Sequence, residues 1–304
     1  MTHANPPQPN PPTTPPPAPP TIDLRLERAV RTDAPASPRV CQVAAMFGLG
    51  VDQSRTLAIV PPTNLRLAPA KLIFITGASG GGKTTLLRLI ADRLANHQDP
   101  RRRDARGLNR PPDPATRAGP RVNVLDFDAL ALEGVVGGAD AADRRPNDPA
   151  IVEAIGGTLE QATRWLALAG LNDAFVMLRR PSELSDGQRY RYALARAIAA
   201  VERSDAEAPV DLHVVLADEF AATLDRMTAR VIARNVRKWV SRAGSADAAA
   251  AAADSADAAG AFGDGRGGGV CFIAATTHDD LLEALEPDTL IVQRPGEAME
   301  VFER

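Results

Sequence analysis

The apolar run Leu72-Ile73-Phe74-Ile75 ends at Gly77-Ala78-Ser79-Gly80-Gly81-Gly82-Lys83-Thr84, and from Thr84 to Leu94 the leucines and Ile90 recur at helical spacing. A short apolar run that stops at glycine reads as a buried strand, and the periodic stretch reads as an amphipathic helix. Strand, glycine-rich loop and helix in this order are the context that the pattern G-x-x-x-x-G-K-[ST] requires. Gly77, Gly80, Gly81 and Gly82 permit backbone conformations that aim successive N–H groups at a polyphosphate, and the helix N-terminus adds a favourable dipole. Ala78 and Ser79 complete the loop. Lys83 is a point charge for the terminal phosphate oxygens, Thr84 is placed to ligate Mg²⁺, and Thr85 neighbours the phosphates.

Two further apolar runs end in chemistry. Val210 to Leu216 reads as a strand that delivers Asp218 and Glu219 at its C-terminal end, and Val270 to Thr276 as one that delivers His278. An acidic pair beside a phosphate loop offers one carboxylate, Asp218, for the Mg²⁺ shell and another, Glu219, as general base for an attacking water. Val122 to Phe127 reads as another strand. Pro149 to Leu178 has helix-like periodicity through Leu159, Ala162, Trp165, Leu166 and Ala169, and Gln188 to Ala200 reads as a further helix. Strands alternating with helices, with ligand groups at the strand C-terminal ends, predict a largely parallel α/β sheet that binds at that edge. The segments Leu290-Ile291-Val292 and Met299 to Phe302, joined through Pro295-Gly296, predict a terminal hairpin.

Biased segments reduce the 304 residues to one domain of ordinary size. Half of the first twenty residues are proline, so 1–36 is expected to be a disordered Pro-rich tail and 37–304 the domain, with folding from near Val40. A proline-motif ligand is the other reading of Pro6 to Pro9 and Pro12 to Pro15. The stretch 98–121 is rich in Arg and Pro and reads as an exposed insertion, since no aromatic residue interleaves its arginines for base stacking. The stretch 243–269 is Ala/Gly-rich and reads as a low-complexity loop, with a marginal helix over Ala249 to Ala253 as the alternative. A net charge of −3 makes no global electrostatic case for nucleic acid. No apolar stretch approaches the roughly 20 residues that span a bilayer, so work at a membrane is expected to go through a partner. Met1 to Pro20 lacks the basic and apolar regions of a secretion signal, and a cytoplasmic location is the default expectation. Of the two cysteines, Cys271 lies in an apolar run and reads as a buried reduced thiol; the sequence presents no metal-binding cluster.

With Leu184-Ser185-Asp186-Gly187-Gln188 added, the ordered set closely resembles the ATP-binding cassette (ABC) ATPase family. Leu184 to Gln188 resembles the family's LSGGQ signature, Asp218-Glu219 its Walker B motif, Leu224-Asp225 the D-loop ending and Thr277-His278-Asp279 the switch-histidine loop. Arg189 to Ile198 is similar to the helix that follows the signature, and the resemblance extends from Val40 to Phe302. It implies an α/β P-loop NTPase of ABC type: a mixed, mostly parallel sheet with a helical subdomain, 149–200, carrying the signature. It also implies a head-to-tail homodimer with two ATP molecules sandwiched between the phosphate loop of one subunit and the signature of the other. Ser185, Gly187 and Gln188 would contact that ATP; Ser185 supplies a hydroxyl and Gly187 a bare backbone at a helix N-terminus, a second anion-binding device. Glu219, His278 and Lys83 are then the catalytic set, Thr84 and Asp218 the Mg²⁺ ligands, and ATP and Mg²⁺ the cofactors.

The chain departs from the family pattern in places. Signature position three is Asp186 instead of Gly, which brings a negative charge near a phosphate unless the side chain points away. Phe220 replaces the proline usual after the catalytic glutamate, and Ala222 a usual D-loop serine. After Val122 to Phe127 stands Asp126 or Asp128 where the family's Q-loop glutamine is expected, and Phe47 is readable as an adenine-stacking ring or as core. The wording Asp218 to Arg226 and Ala275 to Asp280 is similar to a soluble prokaryotic ABC ATPase module often fused to a predicted acetyltransferase. Together with the Q-loop departure, this favours a soluble ABC ATPase that transmits opening and closing to a soluble partner. The alternatives are an ATP-binding subunit working with a separate membrane permease, and an ATP-gated binding switch with little turnover. Intact Lys83, Glu219 and His278 argue against the switch.

Overall fold

A computed structural model describes residues 19–32, 37–46, 48, 55–98, 120–127, 129–130, 149–207, 210–243, 268–294 and 299–304. Its centre is a six-stranded sheet ordered β4–β5–β6–β3–β7–β8. These strands are β3 (Lys71–Thr76), β4 (Val122–Asp126), β5 (Leu212–Ala217), β6 (Gly269–Ala275), β7 (Thr289–Val292) and β8 (Glu300–Glu303). Neighbours from β4 to β7 are parallel, and only the terminal β7–β8 pair is antiparallel. The α/β class, the mostly parallel sheet and the closing hairpin agree with the sequence reading. β5 and β6 are almost continuously apolar because both of their faces are covered.

Alternate residues of β3 divide two cores. Ile73 and Ile75 join Leu86, Ile90 and Leu94 of α2 (Lys83–Gln98) on one face. Leu72 and Phe74 face the other way, into a core shared with α6 (Asp186–Glu207) and α7 (Arg226–Ala243). In α7 the buried set Ala229, Ile232, Ala233, Val236, Trp239 and Val240 repeats at three and four residues, the stripe that a helix needs to lie on a sheet.

A long strand, β1 (Ile22–Thr32), pairs antiparallel with β2 (Arg55–Leu67) and packs near α2. The expectation of a tail through residue 36, with folding from near Val40, is therefore corrected over Ile22–Thr32. Ile22, Leu24 and Leu26 are buried while the residues between them are exposed, a period of two that the preceding prolines obscure in a compositional reading. The ladder slips between Leu26–Thr63 and Arg28–Val60, where Pro61 and Pro62 cannot donate to it. Residues 1–18 and 33–36 lie outside the described set, as do nearly all of the Arg-rich insertion and the Ala/Gly-rich loop.

Helices α1 (Pro38–Met46), α3 (Ile151–Ala154), α4 (Leu159–Leu168) and α5 (Ala174–Met177) precede α6, and α8 (Leu282–Leu285) precedes β7. Thr158 and Gln161 close a reciprocal capping box at the start of α4. Ala162, Trp165, Leu166 and Ala169 are buried as the periodicity predicts, but Leu159 is 74% exposed because it occupies the first helical position, before the core-facing turn. Across to α6, the Trp165 indole donates to Glu202 Oε2 at 2.7 Å, and the Arg203 guanidinium sits 5.7 Å from the Trp165 ring. Among the described residues no helix is long and apolar enough to cross a membrane.

Candidate functional site

The phosphate loop leaves the C-terminal end of β3 in the middle of the sheet, so neighbouring strand ends surround it. Gly77 has φ 141° and approaches the backbone of Gln293 so closely that a Cβ would lie 1.9 Å from its carbonyl oxygen. Only glycine accommodates both the conformation and the approach. Inside the loop, the Lys83 ammonium donates to the carbonyls of Gly77 and Ala78, each at 2.9 Å. Burial lowers the Lys83 pKa, while Asp218, Glu219 and Asp279 act in the opposite direction. The three strand ends thus bring one cation and three carboxylates into mutual electrostatic range. Thr84 is exposed and Thr85 half-buried on the first turn of α2.

Asp218 and Glu219 follow β5 directly. The Glu219 N–H donates to Asp218 Oδ1 at 3.1 Å; Asp218 is half-buried and Glu219 exposed. Glu219 adopts φ 45° and Ala221 φ 57°, left-handed conformations that non-glycine residues hold only when their surroundings enforce them. Phe220 between them is fully buried, and its N–H donates to Ala275 of β6 at 2.8 Å. Phe220 thus fills its position as a core ring, against Phe272 at 5.7 Å.

His278 lies just past β6, half-buried, with its backbone N–H 3.3 Å from Thr276 Oγ1. Its neighbour Asp279 accepts a hydrogen bond from the Thr76 hydroxyl, which ties the histidine loop to the end of β3. Arg226, at the start of α7, pairs with Asp280 and holds its carboxyl below the usual carboxylate range.

The signature opens α6. Ser185 Oγ accepts from the Gln188 N–H at 3.4 Å, and Gln188 Oε1 accepts from the Ser185 N–H at 3.0 Å, a capping box that occupies both side chains within this chain. Asp186 pairs with Arg189, which also donates to Leu184 O at 2.9 Å. The extra negative charge at signature position three is therefore matched by a cation three residues on. Gly187 packs against Leu224, so that a Cβ there would lie 3.4 Å from its side chain.

Lys83, Asp218 and Glu219 are therefore gathered at one sheet edge, with Thr84 and His278 on elements that end there. Ser185, Gly187 and Gln188 stand at the start of α6, where Ser185 O accepts from the Arg189 N–H and Gly187 lies against Leu224. Sequence reasoning missed Thr76 and Gln293, and named Asp279 only as part of the histidine loop, with no role of its own. Gln293 is 1% exposed, takes the Thr76 carbonyl on its N–H at 2.9 Å and donates from Nε2 to Ile59 O at 2.9 Å, bracing the phosphate loop from β2 and β7. The available signal was a polar residue directly after the apolar run Leu290 to Val292. Asp126 ends β4 exposed, its carboxylate accepting from the Ala129 N–H at 3.3 Å. Asp128 and Phe47 lie outside the described residues.

Residues 60–203 match the ABC transporter family model. Over this stretch the chain is similar to an ABC transporter ATPase domain. It is 30% identical over 185 residues to the phosphonates import ATP-binding protein PhnC of Paraburkholderia xenovorans, covering 55% of each chain. Over 222 residues it is 29% identical to the lipoprotein-releasing system ATP-binding protein LolD of Maricaulis maris, covering 68% of this chain and 85% of LolD. A solved dimeric ABC transporter cassette, MJ0796, aligns at a TM-score of 0.43 with 19% identity, covering 82% of this chain and 92% of that one. The chain spans about half the length of PhnC.

The residues present suit MgATP. A glycine-rich loop offers backbone N–H groups and Lys83 to phosphates, while Thr84 and the half-buried Asp218 offer two hard oxygens of the kind Mg²⁺ takes. Thr84 and Asp218 would hold the ion, and the ion when bound would neutralise phosphate charge.

Proposed function

We propose that this chain binds and hydrolyses MgATP at the interface of a head-to-tail homodimer, and that it passes the resulting opening and closing to a membrane permease at the cytoplasmic face of a transport system. The observation that carries the ATPase reading is the convergence on Lys83: its ammonium sits on the phosphate-loop carbonyls and feels the carboxylates of Asp218, Glu219 and Asp279. Lys83 leaves those carbonyls for phosphate oxygens, Glu219 takes a proton from the attacking water, and His278 stands on the adjoining loop to hold the terminal phosphate. Ser185 and Gly187 present a helix N-terminus to the ATP of the partner subunit, so each site is complete only in the dimer. Binding that is tighter in the closed dimer than in the open one turns hydrolysis into motion.

The relatives support the permease as partner, since PhnC and LolD are named as ATP-binding proteins of an import and a releasing system. They lend no support to the soluble-module preference drawn from the wording around Asp218 and His278.

Glu219→Gln is expected to keep ATP binding, accumulate an ATP-bound dimer and lose about 10²- to 10⁴-fold in turnover. Undiminished turnover refutes the general-base role. Lys83→Ala is expected to abolish nucleotide binding. Affinity capture from native membranes tests the partner: a multi-span protein supports the permease, whereas recovery of soluble proteins alone overturns it.

A further inference from the structure

The turn that carries Glu219 is anchored at two points. Phe220 N–H donates to Ala275 of β6 at 2.8 Å, and Ala221 N–H donates to the Tyr190 hydroxyl of α6 at 2.6 Å. The turn's two left-handed residues, Glu219 and Ala221, lie on either side of Phe220, and Ala221 itself makes the second bond. Ala221 is fully buried, so no solvent stands ready to replace an acceptor lost there. The Tyr190 ring also lies 4.9 Å from the Phe127 ring, just beyond β4, and 6.5 Å from Phe220. Five residues earlier on the same stretch stands Ser185, about one and a half helical turns away. One side chain thus joins the signature end of α6 to the backbone that aims the general base.

We propose that Tyr190 is a positioning residue that couples the signature to Glu219 of the same subunit. The proposal rests on the dimeric ATPase reading above. In that dimer the α6 N-terminus meets the ATP of the partner subunit, whereas Glu219 acts on its own subunit's ATP. A shift of α6 on meeting a terminal phosphate moves Tyr190, and the hydroxyl carries that movement into the Ala221 amide because the turn is pinned on its other side to β6. The left-handed pair gives the turn little freedom to absorb the displacement before it reaches the Glu219 carboxylate. The two ATP sites then fire in concert, which reads out as a coupling between them.

Tyr190→Phe removes the hydroxyl and keeps the ring contacts, and Phe127→Leu trims the ring contacts and keeps the hydroxyl. Both variants, Glu219→Gln and the unmodified full chain are compared for MgATP turnover across ATP concentrations and for equilibrium binding of a fluorescent ATP analogue. Tyr190→Phe is expected to lower kcat about tenfold and to move the Hill coefficient for ATP toward one, with KM and nucleotide affinity within about twofold. Phe127→Leu is expected to keep kcat and the Hill coefficient within about twofold while lowering the unfolding temperature. If Tyr190→Phe turns over like the unmodified chain, or if both variants lose kcat equally, the positioning role is overturned and general packing takes its place. That result is distinct from failure of the ATPase reading, in which the unmodified chain itself shows no MgATP turnover and Glu219→Gln changes nothing.

Discussion

Two glycines of one loop are expected to respond very differently to the same added methyl group. A Cβ on Gly77 would stand 1.9 Å from the Gln293 carbonyl oxygen and 3.0 Å from its carbon, on a residue already at φ 141°. Reaching van der Waals contact requires a retreat of about 1.5 Å by backbone. Gln293 cannot retreat freely, because its N–H holds the Thr76 carbonyl at 2.9 Å and its side chain holds Ile59 O at 2.9 Å. Gly77→Ala therefore adds about 1–3 kcal/mol of backbone strain to about 1–3 kcal/mol of overpacking. For a domain of this size that lowers the unfolding temperature by on the order of 10 °C. At Gly80, φ is 75° but nothing lies within 4 Å of the built Cβ, so Gly80→Ala carries the conformational term alone, about 1–2 kcal/mol. Thermal unfolding by circular dichroism, without nucleotide, compares the two. Midpoints within one or two degrees of each other would show that the Gly77 approach to β7 does not govern loop stability.

Acid is expected to weaken the fold through Asp288. Burial pushes this carboxyl up, but Arg237 at 2.7 Å, the Leu72 N–H at 2.9 Å and Lys71 outweigh it and hold the pKa below the ordinary value. A carboxylate depressed in the folded state contributes stability that is fully present above about pH 4 and is lost as the pH falls through the folded value. Asp288→Asn is thus expected to cost about 1.5–3 kcal/mol at pH 7 in urea unfolding and progressively less below pH 4; an equal cost at pH 2 contradicts the assignment. Thiol labelling at pH 8 is expected to find Cys271 inert until the chain unfolds, since burial pushes its pKa up to about 12; rapid labelling of Cys271 in the native chain contradicts its burial. Asp186→Gly removes an exposed pair with Arg189, worth about 0–1 kcal/mol of stability, together with the carboxylate of signature position three. Sedimentation in a Glu219→Gln background is expected to show ATP-dependent dimers about two- to fivefold tighter; weaker dimers would mean that the Asp186–Arg189 pair supports the interface.

Much of the fold was legible because burial is encoded locally. The run Leu72 to Ile75, the glycines to Gly82 and the spacing of leucines to Leu94 specify strand, loop and helix without reference to the rest of the chain. The same locality placed Asp218, Glu219 and His278 at strand ends. It failed at Ile22–Thr32, where a clear alternation adjoins a proline-rich stretch that dominates any average over composition, and at Leu159, where position within the first helical turn overrides periodicity.

The sequence by itself determined which chemical groups are present, in what order, and on which kind of local element each rides. Only the tertiary structure decided their neighbours: Asp279 against Thr76, Gln293 against Gly77, and the Tyr190 hydroxyl on the Ala221 amide. Periodicity reports which face of an element is buried, and that is a property of a few consecutive residues. Pairing between distant elements depends on the order β4–β5–β6–β3–β7–β8, which sets β3 between β6 and β7, and so brings together side chains that no short stretch of sequence contains.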